Sequence, residues 1–183
     1  NIKNMEMTGP IIVLIIRLLV PFSIFKYPFW GTVASLLVDA LDVVMVTIIG
    51  VGAIPEGWYS PADKALDTYY LIFSFIVSLR WADRLPRKIN IGLFIYRIVG
   101  VVLMEVTGIR MLLFIFPNMF ENFFLFWEAR NKWFKHLKPT KKNLIVVLIA
   151  LLIPKMFQEW MLHWKLFDPW SQIEEIFNLH KSH

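Results

Sequence analysis

Cysteine is absent from the 183-residue chain. Its absence excludes disulfide bonds, thiolate-bound metals, iron–sulfur clusters and cysteine nucleophiles. Charged residues are also scarce, at 18% of the chain. The sequence contains no nucleotide-binding loop, no G-x-S-x-G motif and no H-E-x-x-H motif, and His163 has no second His or Cys at ligand spacing. The sequence therefore implies no cofactor, and we expect no metal site.

Apolar residues are abundant instead. They make up 57% of the chain, where a soluble domain has about 45 to 50%. The mean hydropathy is +0.58. Several apolar runs approach the ~20 residues that a helix needs to cross a bilayer. We therefore predict an all-α fold, a polytopic membrane helix bundle that forms a single integral membrane domain over residues 1–183.

The apolar runs predict six transmembrane helices, at about residues 8–27, 29–54, 60–82, 89–116, 118–136 and 143–167. The first run is short and contains Pro21, so a five-span alternative places it flat on the membrane. A further short helix at about 169–179 carries its apolar residues on one side. We predict that this C-terminal helix lies in the membrane interface.

Local signals support several of these boundaries. Pro61 suits the first position of the third helix. Asn118 and Glu121 have the spacing of a capping box at the start of the fifth helix. Gly100 and Gly108, in the fourth helix, are predicted to be positions where two helices pack closely, because small residues let backbones approach.

Basic residues are concentrated in alternate connections, around residues 26, 84–88 and 130–142. The positive-inside rule places these segments in the cytoplasm and both termini outside it, in a cell or inner membrane. The net charge of +5 is thereby explained without nucleic acid as a partner. The expected partners are the lipid bilayer, anionic lipids at the basic segments and other membrane subunits.

Four ionisable residues reach a similar depth when the helical rise of ~1.5 Å per residue is counted from the basic ends. They are Asp39, Asp42, Glu105 and Lys155. A charge at the centre of the bilayer costs at least about 2.5 to 3.5 kcal/mol, so each one needs a partner or water. We predict that Lys155 pairs with Asp42 and Glu105.

Lys155, Glu159 and His163 recur every four residues, so they share one face of the last predicted span. A stripe of this kind is too costly to face lipid. We therefore expect it to face the interior of the protein, directly after the kink that Pro154 predicts.

Arg97 lies nearer the cytoplasmic side and is predicted to pair with Asp39, whereas Arg110 lies nearer the outer side. The predicted intramembrane polar network consists of Asp39, Asp42, Arg97, Glu105, Arg110, Lys155, Glu159 and His163.

Three functions from different classes are compatible with such a network. The first is translocation of a proton, a small ion or a small polar solute. The second is an accessory or assembly subunit of a larger membrane complex, in which the charges only fix helix packing. The third is a membrane-embedded lipid-modifying enzyme that uses Asp39 and Asp42 with a divalent ion. The CDP-alcohol phosphatidyltransferases carry the motif D-x-x-D-G-x-x-A-R. Asp39 and Asp42 match the two aspartates of this motif and nothing else in it, since Val43 stands in place of the glycine.

Overall fold

The structure is a computed structural model that describes residues 14–49, 56–108, 111–136 and 138–163. For residues 42–49, 56–64, 67, 111, 113, 159 and 161–163 it describes the backbone and not the side chains. All regular secondary structure in these ranges is helical, which confirms the all-α part of the prediction.

The helices are described in chain order by their first and last residues. They are α1 (Leu14–Phe25, with a 3-10 segment over Val20–Phe25), α2 (Pro28–Ile49), α3 (Glu56–Ser78), α4 (Arg84–Thr107), α5 (Met111–Ile115), α6 (Met119–Trp133) and α7 (Lys141–His163).

The described contacts fall into two compact units, the first of which extends to Ser74. In this unit α2 packs against the last turns of α1. The ring of Phe73 on α3 lies 5.0 Å from Phe22 and 5.1 Å from Phe25 between centroids. Thr32 and Ser74 are buried, and their hydroxyls are 3.3 Å apart. The end of α1, the start of α2 and the second half of α3 thus share one small core.

The second unit begins at Phe75 and contains α4 to α7. Within it α4 packs against α5 and α6, and α7 packs against α5 and α6. Aromatic rings fill the centre of this unit, and Phe94 stacks on Phe75 at 4.2 Å. The largest fully buried side chains in this unit are Phe120, Phe123, Phe124 and Trp127. Each unit has its own core, and the single-domain organisation stays a prediction.

The limits of α4 differ from the predicted span 89–116. The helix begins at Arg84 because Pro86 is tolerated in a first turn, where its missing N–H needs no partner. It ends at Thr107, since Gly108 adopts φ +71° and donates its N–H to the carbonyl of Met104 at 2.8 Å. The close-packing prediction for Gly108 is therefore wrong, because this glycine is a helix cap. Gly100 is a close-packing position as predicted, but against a side chain and not against a helix backbone, since an added Cβ would lie 2.7 Å from Cγ of Phe116.

Two other helix starts test the local signals. The side chain of Asn118 accepts a hydrogen bond from the N–H of Glu121 and donates to its carboxylate at 2.9 Å. The predicted N-cap at Asn118 is thus confirmed, and the carboxylate of Glu121 bonds the side-chain amide of this cap. The prediction that α3 starts at Pro61 is wrong, because α3 already begins at Glu56.

In the described residues one helix, Arg84–Thr107, is long and apolar enough to cross a membrane. Three further apolar helices in this part of the chain are shorter: Leu14–Phe25, Pro28–Leu41 and Thr68–Ser78. Of the six predicted spans, the described structure therefore supports the fourth, which corresponds to α4.

Candidate functional site

An ion pair joins α1 and α2 inside the first unit. Arg17 donates from Nη2 to Oδ1 of Asp39. The side chain of Arg17 is 6% exposed and that of Asp39 is 30% exposed. A buried charge is costly unless it is paired, and Asp39 supplies a carboxylate to this guanidinium. We call Arg17 and Asp39 the interior ion pair.

A close contact between α1 and α2 positions the interior ion pair. A Cβ on Gly31 would lie 2.7 Å from the Cα of Ile24, so only glycine fits between the two backbones. Ser35 donates its hydroxyl to the carbonyl of Gly31 at 2.9 Å, which saturates the hydroxyl within α2. Asp39 follows one turn after Ser35, so it lies on the same side of α2.

The helix α3 covers the interior ion pair from a third side. Tyr69 donates its hydroxyl to the carbonyl of Leu18 at 3.3 Å, and the neighbouring Tyr70 is buried. A cleft of about 10 Å³, the space of one water molecule, remains beside the pair. Its walls are formed by Arg17, Val20, Pro21, Ser35, Val38, Asp39, Leu66 and Tyr70.

The partner of Asp39 is a correction to the sequence prediction, which paired it with Arg97. In the structure Arg97 donates from Nη1 to the carbonyl of Phe116 at 3.1 Å. This carbonyl follows the last turn of α5, where a helix leaves acceptors without intrahelical partners. The Nε of Arg97 is buried and has no hydrogen-bond partner within the described part of the chain.

Two more members of the predicted polar network have described side chains. Glu105 is exposed on α4. Lys155 is half-buried on α7, one residue after Pro154, and its Nζ lies 3.3 Å from Oε1 of Gln158. The helix α7 continues through Pro154 to His163.

The remaining members of the predicted polar network lie outside the described side chains: Asp42, Arg110, Glu159 and His163. The association of all eight residues in one network therefore stays a prediction.

A second polar site lies at the junction of α3 and α4 with α6. The indole N–H of Trp81 donates to Oε1 of Glu128 at 2.7 Å, and its ring stacks on Phe124 at 5.6 Å. Nearby, Arg130 lies 3.6 Å from a carboxylate oxygen of Asp83. These contacts fasten the polar end of α6 to the turn that precedes α4.

The pKa of the Glu128 carboxyl is raised by burial, and the hydrogen bond from Trp81 lowers it in part. Glu128 lies in the last two turns of α6, near Arg130 and Lys132, at the basic end that the sequence predicts to lie at the membrane surface. Sequence reasoning missed the contact with Trp81, because the two residues are 47 positions apart and no local pattern links them.

We expect E128Q to stabilise the protein at neutral pH. Glutamine keeps an acceptor for the indole N–H of Trp81 and removes the buried charge. A carboxyl with a raised pKa in the folded state contributes stability below its usual value of 4.5 and loses it as the pH rises through the folded pKa. The melting temperature of E128Q should therefore exceed that of the wild type at about pH 7 and converge with it at about pH 4.

The control for this prediction is E128A, which leaves the buried indole N–H without an acceptor. We expect it to be less stable than the wild type at both pH values, by about 1 to 3 kcal/mol. An E128Q protein whose melting temperature differs from the wild type equally at both pH values would contradict the role of the buried charge.

In its described part the protein is helical, with one helix, α4, long and apolar enough to cross a membrane and an ion pair between α1 and α2. No protein-family model, curated protein or solved structure matches the chain. Among the described residues no group of three or more His, Cys, Asp or Glu side chains could hold a metal ion.

Proposed function

We propose that the chain is a multi-pass integral membrane protein that moves a proton or a small cation by way of the interior ion pair. The observation that carries the proposal is a carboxylate held by a nearly buried guanidinium between apolar helices. Ionisable residues within membrane helices are costly, and they mark ion and proton pathways more often than they serve packing alone.

The membrane placement is supported by the surfaces of the described helices. The helix α4 is long and apolar enough to cross, and several of its large apolar side chains are exposed, including Ile95, Val102 and Val106. The outer face of α7 is similarly apolar at Ile149 and Ile153. Lipid chains are the environment that such faces require. We further propose the six-span topology, with the basic segments in the cytoplasm and both termini outside it.

The proposed chemistry is an exchange at Asp39. The carboxylate is the more exposed member of the pair and borders the cleft, so a proton or a small cation can reach it there. Either one neutralises the carboxylate and competes with Arg17 for it. Release of the ion restores the ion pair, so the guanidinium acts as the internal counter-charge between transport events.

Purified protein in lipid vesicles with an internal pH-sensitive dye tests this proposal. We expect D39N to lower proton or cation flux at least tenfold, because the amide offers no exchangeable charge, whereas D39E should keep measurable flux. D83N is the matched control, since it neutralises an aspartate that also faces an arginine, outside the interior ion pair. Wild-type vesicles without flux, or D39N vesicles with wild-type flux, would contradict the proposal.

A second candidate is an accessory subunit of a membrane complex. The observation that favours it is the small size of the cleft, about 10 Å³, which leaves little room for a moving solute beside the pair. In that case the interior ion pair only fixes α1 against α2. Gentle solubilisation should then recover the chain with stoichiometric partner subunits, and the isolated protein should be silent in the flux assay.

A further inference from the structure

A groove of about 300 Å³ lies between the end of α6 and the start of α7, within the second unit. Volumes of this size are typical of sites for small molecules. We call it the cationic groove, and its lining residues are Phe126, Trp127, Arg130, Lys138, Pro139, Lys142, Asn143, Leu144, Val146 and Val147.

Three cationic side chains line the groove, and none of its described lining residues is acidic. Arg130 is held in place, because its guanidinium lies 4.8 Å from the centre of the Trp127 ring and donates to the carbonyl of Lys135 at 3.3 Å. Asp83, outside the lining, offsets part of its charge at 3.6 Å. Lys138 and Lys142 are exposed and have no acidic partner in the described part of the chain. The groove therefore keeps an excess of positive charge.

Most of the remaining lining of the groove is apolar. From Leu144 to Ile153 the helix α7 has no polar side chain, and a rise of ~1.5 Å per residue makes this stretch about 15 Å long. This length equals half of the ~30 Å hydrocarbon core. Val146 lies one turn after Lys142 and is exposed, so cationic and apolar groups follow one another on one face of α7.

We propose that the cationic groove binds an anionic phospholipid from the cytoplasmic leaflet. Its phosphate would contact Arg130, Lys138 and Lys142, and one acyl chain would lie along the apolar face of α7. Along α7 the cationic groups are followed by an apolar face. A phospholipid has the matching arrangement, because its charged headgroup is followed by an acyl chain about one leaflet long. The excess positive charge selects an anionic headgroup over a zwitterionic one. This inference uses the membrane placement proposed above and does not depend on ion transport.

The turn between α6 and α7 supports this role. Asn143 donates its side-chain amide to the carbonyl of Lys138 at 3.0 Å, and its N–H lies 3.3 Å from the hydroxyl of Thr140. Both hydrogen bonds join the first turn of α7 to the segment before it, so they hold the backbones of Lys138 and Lys142 near one another. The cationic site is thus organised before a lipid arrives, so less ordering entropy is lost on binding.

The test uses purified full-length protein in nanodiscs of phosphatidylcholine with increasing phosphatidylglycerol, and native mass spectrometry counts the retained lipid. The wild type should retain phosphatidylglycerol in preference to phosphatidylcholine. The K138Q and K142Q double variant should weaken that retention about twenty-fivefold, at about fivefold for each lysine. Both side chains are exposed, and circular dichroism will verify that the helix content is unchanged.

The matched control is the K88Q and K132Q double variant, which removes the same charge from exposed lysines outside the groove. It should retain phosphatidylglycerol like the wild type. Equal loss in the two double variants, or no preference for phosphatidylglycerol in the wild type, would overturn the proposal. Displacement of the lipid by millimolar inorganic phosphate would also overturn it, in favour of a phosphate site. None of these results depends on the flux assay.

Discussion

Replacing Asp39 by Ala is expected to lower the free energy of unfolding by about 1 to 3 kcal/mol. The variant removes one carboxylate from the guanidinium of Arg17, whose side chain is 6% exposed. Loss of one member of a buried pair costs far more than the pair itself contributes, because the remaining charge stays out of water. Denaturant unfolding in detergent, followed by tryptophan fluorescence, measures the change.

Two variants control this prediction. D83A also removes the carboxylate opposite an arginine, but the Asp83 side chain is 43% exposed, and the expected loss is at most about 1 kcal/mol. The double variant with R17M and D39L removes both charges together, so it should recover most of the stability that D39A loses. Equal losses in D39A and D83A would contradict the description of the interior ion pair as buried.

The same double variant separates the two proposed functions. If Arg17 and Asp39 only fix packing, a stable protein with Met and Leu at these positions should still support a membrane complex. If Asp39 carries the ion, that protein should fold and show no flux. The stability and transport measurements together therefore distinguish a structural ion pair from a functional one.

Hydropathy predicts where helices occur. It does not predict where they begin and end, because helix ends depend on caps and backbone conformation. The start of α6 was predictable because Asn118 and Glu121 form a local cap. The end of α4 was missed because Gly108 lies within an apolar stretch and was interpreted as a packing residue. Its left-handed conformation shows that it caps the helix instead. Pro61 gave a wrong helix start, because it lies within α3 and not at the first position of this helix.

The partner of Asp39 could have been found from the sequence. Lys26 lies in the turn between α1 and α2. Arg17 stands nine residues before Lys26, and Asp39 stands thirteen residues after Lys26. Consecutive helices usually lie side by side, so charges at similar distances from a short turn are natural partners. The prediction compared the depths of non-consecutive helices instead. The contact of Trp81 with Glu128 gave no such signal, because it depends on how α6 folds back in the second unit.

Replacing Gly31 by Ala is expected to cost about 3 kcal/mol of stability, at the upper end for an overpacked site. The added Cβ would meet the backbone of Ser23 and Ile24, with the carbonyl carbon of Ser23 and the Cα of Ile24 each at 2.7 Å. A flexible side chain could move aside, but a backbone in a helical turn cannot do so cheaply. The substitution must therefore push α2 away from α1 and loosen the interior ion pair, whose residues lie on these two helices.

The control is G92A on α4, because a Cβ at Gly92 has no neighbouring atom within 4 Å. Alanine loses less backbone entropy than glycine in a helix, so G92A should stabilise the protein by about 0.5 to 1 kcal/mol. The two glycine-to-alanine changes thus have opposite predicted signs, although their chemistry is identical. Unfolding of both variants in the same detergent measures the signs, and a G31A protein as stable as G92A would show that α1 and α2 are not in this close contact.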